Sequence, residues 1–226
     1  MKIFAVGMNY AEHNKELNNT LLITEKYERK TMEPVIFTKA DSALLKDGKP
    51  FFVPDFMGRI DYETEVVVRI SRLGKGIPVE FAHRYYDAVT VGIDFTAREV
   101  QKKAKDLGRP WTIAKGFDGS AVIGRWVELP PIDPEEKAKW TREQRMRQVQ
   151  SLNFHLDING QTVQQGCTSD MMYSIDELIS YISRFFTLKT GDLLYTGTPA
   201  GVGPIHINDH VEGWLEGQKV LEFNCR

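Results

Sequence analysis

Residues 60–70 read Ile-Asp-Tyr-Glu-Thr-Glu-Val-Val-Val-Arg-Ile, and β-branched residues dominate the second half, which predicts a β-strand. Residues two apart on a strand share a face, so Asp61, Glu63 and Glu65 point one way. Tyr62, Thr64, Val66, Val68 and Ile70 point the other way, into a core. Shorter apolar runs predict strands at 2–6, 35–38, 89–93 and 192–196, and Asn159-Gly160 marks a hairpin turn between alternating segments. Helical patterns cover 78–86, 96–107 with Thr96 as N-cap, and 174–186, where Ser174 and Glu177 make a capping-box pair. Residues 9–33 are polar and helix-tolerant, with few apolar anchors. Residues 131–147 are highly charged and predict an exposed helical insertion or a mobile loop. Many short strands with a few helices give a β-rich α+β domain.

Composition narrows the function classes. A chain of 226 residues is long enough to bury a core as a single domain. Its 29 basic and 31 acidic residues are nearly balanced and form no long block, which argues against a nucleic-acid or anionic-membrane partner. Two cysteines, Cys167 and Cys225, suit neither a disulfide framework nor a thiolate metal site. With no apolar run of membrane-spanning length and too short an apolar start for a signal peptide, a cytoplasmic protein is expected.

The acidic strand changes that picture. Three carboxylates on one face repel one another unless a cation compensates, and hard divalent ions such as Mg²⁺ take this chemistry. The alternative is a solvated acidic face on an edge strand. Asp94 falls where a strand hands over to a helix; it reads either as a turn residue or, with Glu63 and Glu65, as a third metal ligand. His13 and Glu16 lie three apart, so on a helix a carboxylate stands beside the imidazole, as a general base needs; taken in isolation, such a spacing is more often an exposed pair without function. Lys115 is a lone cation in an apolar stretch, suited to an oxyanion or to snorkelling. The segment 196–204 is too rich in Gly and Pro for regular structure, and its N–H groups and hydroxyls could hold a carboxylate.

Five segments in order carry a resemblance: Gly7-Met8-Asn9-Tyr10-Ala11-Glu12-His13, Asp61-Tyr62-Glu63-Thr64-Glu65, Gly92-Ile93-Asp94-Phe95-Thr96-Ala97-Arg98-Glu99-Val100-Gln101, Trp111-Thr112-Ile113-Ala114-Lys115-Gly116-Phe117-Asp118 and Thr196-Gly197-Thr198-Pro199-Ala200-Gly201-Val202-Gly203-Pro204. Together they resemble the fumarylacetoacetate hydrolase family, in its single-domain acylpyruvase and oxaloacetate decarboxylase branch. The resemblance covers nearly all of 1–226 and leaves 133–150 as a charged insertion.

It implies a mixed β-roll of the family's C-terminal-domain type, a mobile N-terminal lid at 9–33 and a homodimer. It also implies Mg²⁺ or Mn²⁺ on Glu63, Glu65 and Asp94, catalytic roles for His13, Glu16 and Lys115, and substrate contacts from Gln101 and Thr198. Lys39 is retained as a cation near the substrate. Met8 stands where relatives often carry a cationic residue, and Ala40 where they have Pro after Lys39.

The expected enzyme is a metal-dependent hydrolase that cleaves the C–C bond of acylpyruvate-type 2,4-dioxo acids to pyruvate and a carboxylic acid. Oxaloacetate decarboxylation or tautomerisation is possible at the same site. An isomerase or decarboxylase of 2-hydroxy-dienoates is the alternative enzyme, and a non-catalytic 2-oxo-acid-binding protein the alternative from another class.

Overall fold

The 60–70 run does not form one strand. In the computed structural model, which describes residues 1–16, 33–131 and 138–226, it breaks at Glu63 into β4 (Ile60–Tyr62) and β5 (Thr64–Ile70). Strands are numbered in chain order. β5 is an interior strand of an eight-stranded sheet in the order β2 (Val35–Lys39), β1 (Ile3–Gly7), β12 (Leu193–Tyr195), β5, β6 (Tyr86–Asp94), β8 (Ala121–Ile123) and β3 (Leu44–Leu45). β9 (Val127–Glu128) also pairs with β6. The sheet is mixed, since β1–β12 and β3–β8 run parallel and the other pairs antiparallel.

A second, four-stranded antiparallel sheet runs β11 (Gln161–Cys167), β10 (Asn153–Ile158), β14 (His210–Leu215) and β15 (Gln218–Asn224). Its first hairpin turns on Asn159-Gly160 as expected, both with positive φ. β4 instead joins β13 (Gly203–Pro204) and β7 (Thr96–Ala97) in a small third sheet.

Val66, Val68, Val89, Val91 and Ile93 meet Val211, Leu215, Leu221 and Phe223 in a core shared by the two larger sheets. Apolar residues two apart on β5 and β6 account for this face. The opposite face is buried as well: Val67 packs with Ile3, Ala5, Leu193 and Tyr195. An interior strand covered on both faces is the reverse of a solvated acidic edge.

Helices are likewise numbered in chain order: α1 (Ala11–Glu16), α2 (Val79–Ala82), α3 (Arg98–Asp106), α4 (Thr112–Gly116), α5 (Ala138–Val149) and α6 (Ile175–Phe185). α6 carries the expected capping box and seats Ile175, Leu178, Ile179 and Ile182 on the core. The arrangement is a strand-rich α+β fold whose large sheet curls into a half-barrel.

Three expectations need correction. The helix of 78–86 shrinks to α2, because Tyr86 onward is taken up in the ladder between β6 and β5. Thr96 is not an N-cap: Thr96 and Ala97 pair with Asp61 and Ile60, which pushes the helix start to Arg98. The charged insertion is helical over α5 but not simply exposed. Arg145 and Val149 are buried, and the Arg145 guanidinium lies 5.6 Å from the ring centroid of Tyr86. Most of the expected lid, 17–32, lies outside the described residues, as do 132–137 of the insertion. Both cysteines are free thiols, and among the described residues no helix is long and apolar enough to cross a membrane.

Candidate active site

The break at Glu63 builds the site. Its carbonyl accepts the N–H of Asp94 at 2.9 Å, so the end of β6 crosses the break between β4 and β5. Glu65, two residues on, pairs with Gly92. That position needs glycine, because a Cβ there would come within 2.6 Å of both the Val122 carbonyl and the Val67 side chain. Carboxylate oxygens of Glu63, Glu65 and Asp94 all lie within 4.8 Å of one another, and all three residues are buried. Asp61 is buried too but turns elsewhere, pairing with Arg98 at 2.9 Å and with Arg59. The break in the strand thus separates Asp61 from the other two acids.

Lys115, at the end of α4, reaches into this cluster. Its Nζ donates to Glu63 Oε2 at 2.6 Å and to Asp94 Oδ2 at 2.8 Å. Lys39 lies behind it, 2.6 Å from Asp94 Oδ1, with further bonds to the carbonyls of Lys115 and Ser120 and to Ser120 Oγ at 3.1 Å. The contact with Asp94 Oδ1 is an ion pair by distance but poorly directed, so that oxygen accepts no aligned hydrogen bond among the described residues.

Burial pushes the carboxyl of Glu63 up, but Lys115, Arg98 and His13 together outweigh it and hold Glu63 well below the usual range. Burial acts the same way on Glu65, and the neighbouring charges of Asp94 and Glu63 reinforce it, so its carboxyl is pushed well up. The backbone N–H of Gly197, at 2.7 Å, is the one described donor to Glu65, and no described cation is in ion-pair contact with it. Burial opposes the charge on Lys115, but Asp94 and Glu63 more than compensate, and the ammonium is retained. Hard oxygen donors from three converging carboxylates, one of them without a paired cation, fit a divalent ion such as Mg²⁺ or Mn²⁺.

A pocket opens over Glu63 and Lys115. Its walls include Met8, His13, Phe37, Arg98, Gln101, Lys105, Trp111 and Thr198. His13 is buried, with Nδ1 3.2 Å from Glu16 Oε2. Burial lowers its pKa, with the charge of Glu63 and the Glu16 hydrogen bond opposing, so the imidazole is neutral near pH 7. A neutral ring donating from Nδ1 to Glu16 leaves Nε2 as an acceptor. Gln101 accepts from Arg98 Nη1 at 2.9 Å, and its amide nitrogen has no acceptor among the described residues. Of the expected site residues, His13, Glu63, Gln101, Lys115 and Thr198 line this pocket, whereas Glu65 and Asp94 lie behind Glu63 and Lys115, Glu16 behind His13, and Lys39 behind Asp94.

Three features escaped sequence reasoning. Arg98 bridges Asp61, Glu63 and Gln101, its Nη2 lying 2.8 Å from Glu63. The N–H of Gly201 donates to Glu16 at 3.1 Å, tying the His13 dyad to the Gly-rich loop. Gln164, from β11, accepts the N–H of Thr64 at 3.0 Å and donates to Thr198 Oγ1 and the Pro199 carbonyl, both at 2.8 Å. Arg98 stood inside a motif already singled out. Gln164 had no local signal, because it is contributed by the other sheet.

A model of the fumarylacetoacetate (FAA) hydrolase C-terminal family matches residues 2–225. The chain belongs to the fumarylacetoacetate hydrolase family. Mitochondrial oxaloacetate tautomerase FAHD1 of Mus musculus is 36% identical over 99% of this chain and 91% of its own. The crystal structure of fumarylpyruvate hydrolase from Pseudomonas aeruginosa, in complex with Mn²⁺ and pyruvate, superposes with a TM-score of 0.81 at 29% identity, covering 100% of this chain and 89% of that one. The 2-hydroxyhepta-2,4-diene-1,7-dioate isomerase of Mycobacterium marinum gives 0.76 at 29% identity, over 99% and 73%. Members of the fumarylacetoacetate hydrolase family thus include tautomerases, hydrolases and isomerases, and the family fold accounts for the curled sheet described above.

Proposed function

We propose that this chain is a divalent-metal-dependent hydrolase that cleaves acylpyruvate-type 2,4-dioxo acids to pyruvate and a carboxylic acid. The observation that carries the reading is that His13, held by Glu16, lines the same pocket as Glu63 and Lys115. A site that only bound a 2-oxo acid would have no use for a buried, neutral, oriented base.

Glu63, Glu65 and Asp94 would hold Mg²⁺ or Mn²⁺, which when bound supplies Lewis-acid polarisation of the 2-oxo acid. Glu16 fixes the His13 tautomer, and Nε2 takes a proton from the attacking water. The water oxygen adds to the distal acyl carbonyl, and the C3–C4 bond breaks with its electron pair moving to C3. Pyruvate leaves as its enolate, which the Lys115 ammonium stabilises before C3 is reprotonated. Gln101, through its open amide N–H, orients the substrate carboxylate, while Thr198, whose hydroxyl donates to the Thr64 carbonyl at 2.9 Å and accepts from Gln164, shapes the wall beside it. Lys39, its donors directed at protein acceptors, is assigned to holding Lys115 and Asp94 in place rather than to the substrate contact expected from sequence.

The identity to an oxaloacetate tautomerase supports a second reading, tautomerisation or decarboxylation of oxaloacetate at the same site, which requires the enolate but no attacking water. Pyruvate release from acylpyruvates and oxaloacetate, together with the ultraviolet absorbance change of enol–keto interconversion of oxaloacetate and of a hydroxy-dienoate, each with Mg²⁺, Mn²⁺ and chelator, separates these readings. His13→Ala is expected to slow acylpyruvate hydrolysis by about 10²–10⁴-fold and oxaloacetate turnover much less. Equal loss on both substrates would remove His13 as the water-activating base.

A further inference from the structure

The outer wall of the pocket holds a cation that none of these roles uses. Lys105 lies one helical turn after Gln101 on α3, so both side chains face the pocket, and both line it. Its Nζ sits 5.3 Å from the ring centroid of Trp111, and Trp111 in turn packs edge-on against Phe37 at 5.9 Å. The aromatic face fixes a side chain that would otherwise range through solvent.

The other two pocket cations of this wall and floor are already paired. Arg98 is held by Asp61 and Glu63, and Lys115 by Glu63 and Asp94. Lys105 has no carboxylate partner among the described residues. Met8, Phe37 and Trp111 around it offer no charge, so an anionic group arriving at this height in the pocket meets Lys105 alone. Burial lowers the Lys105 pKa, with the positive charge of Arg98 adding to it, which marks a corner short of negative charge.

We propose that Lys105, held over Trp111, is a specificity-determining residue that pairs with a second, distal carboxylate, so that the pocket prefers dicarboxylic 2-oxo acids to acylpyruvates with uncharged tails. The proposal rests on the reading of this pocket as a 2-oxo-acid site. It gives this pocket a cation free of carboxylate partners among the described residues, although Met8 stands where relatives often carry a cationic residue.

The test compares fumarylpyruvate, which carries the distal carboxylate, with acetylpyruvate, which lacks it, on the metal-loaded enzyme. In Lys105→Met the ratio of kcat/KM for fumarylpyruvate over acetylpyruvate should fall about tenfold through KM, with kcat for fumarylpyruvate retained. A tenfold change corresponds to about 1.4 kcal/mol. Lys105→Glu should lower the ratio further, and Lys105→Arg should restore it. Lys102→Met, one turn away on the solvent side and paired with Asp106, serves as control and should leave the ratio alone.

A binding arm without turnover uses 2-oxoglutarate against 2-oxopentanoate by calorimetry, with the preference for 2-oxoglutarate lost in Lys105→Met. Turnover of both acylpyruvates with a ratio unmoved by Lys105→Met overturns the subsite and leaves the function standing. Absence of acylpyruvate turnover with the calorimetric preference intact does the reverse. No preference for 2-oxoglutarate in the unaltered protein also overturns the subsite.

Discussion

Removing the Lys115 ammonium tests the electrostatics of the site without any reference to turnover. In Lys115→Met the stem is replaced at similar volume, but Glu63 and Asp94 lose donors at 2.6 and 2.8 Å inside a site where the three side chains are 4, 8 and 1% exposed. Breaking a buried pair from one side costs about 3–5 kcal/mol, because the remaining charge stays buried. Arg98 on Glu63 and Lys39 on Asp94 still supply partial compensation, so the low end, about 3 kcal/mol, is expected. For a protein of this length that is a fall in Tm of roughly 6–12 °C.

The same loss leaves three carboxylates for one remaining lysine, so a divalent cation should then bind more tightly. Ligand at a hundredfold its Kd contributes about 2.7 kcal/mol, enough to recover most of the deficit. Differential scanning calorimetry in chelator and in saturating Mn²⁺ reads both effects. The Mn²⁺-induced rise should be larger in Lys115→Met than in the unaltered protein, and absent from both in a Glu65→Gln background. An unchanged Tm in chelator, or a rise that survives Glu65→Gln, refutes the account.

Two further outcomes follow from groups outside the pocket floor. Gln164→Leu removes three buried hydrogen bonds that join β11 to Thr64 and the Gly-rich loop, and should cost roughly 2–4 kcal/mol, read as a lower urea midpoint; an unchanged midpoint would mean the clamp contributes nothing. His83 is fully buried, and burial followed by the charge of Arg84 lowers its pKa to about 4. The unfolded chain, near 6.5, therefore binds the proton first as pH falls, so stability is complete above 6.5 and declines towards pH 4. The decline is at most about 3 kcal/mol and should flatten in His83→Asn, measured by denaturation across that range; an unchanged slope would assign the loss to other groups.

Much of the fold was legible because its signals are local. The β-branched run of β5, the Asn159-Gly160 turn and the Ser174–Glu177 box each lie within a few residues of the structure they specify. What failed was decided by distant partners. Thr96 has good N-cap chemistry, yet Ile60 and Asp61 take Thr96 and Ala97 into a ladder first. The charge of α5 suggested solvent, but its burial depends on Tyr86 and on Asp176, whose carboxylate accepts from Tyr86 at 3.1 Å and lies 3.5 Å from Arg142. No local pattern announces such partners.

The acidic strand shows the same limit inside the site. Alternation placed Asp61, Glu63 and Glu65 on one face, which an unbroken strand would require. The chain leaves the ladder at Glu63, so Asp61 goes to the small third sheet and Arg98 while Glu65 enters the large one. Repulsion among three adjacent carboxylates is one reason such a break is favourable: it sends one acid to arginines and leaves two to meet Asp94. Family resemblance pointed to Glu63, Glu65 and Asp94, but only the register of β5 against β6, with glycine at 92, shows how residues some thirty positions apart converge. The Gly-rich loop then contributes from opposite ends: Gly197 N–H to Glu65 and Gly201 N–H to Glu16. Gly197 has a φ of +100° and leaves no room for a Cβ beside Asn9, so the loop needs glycine there to bring its N–H to Glu65. One loop therefore fixes both a carboxylate of the candidate metal centre and the residue that orients His13. Its composition announced irregular backbone; its function as the link between those two groups follows from where β12 delivers it.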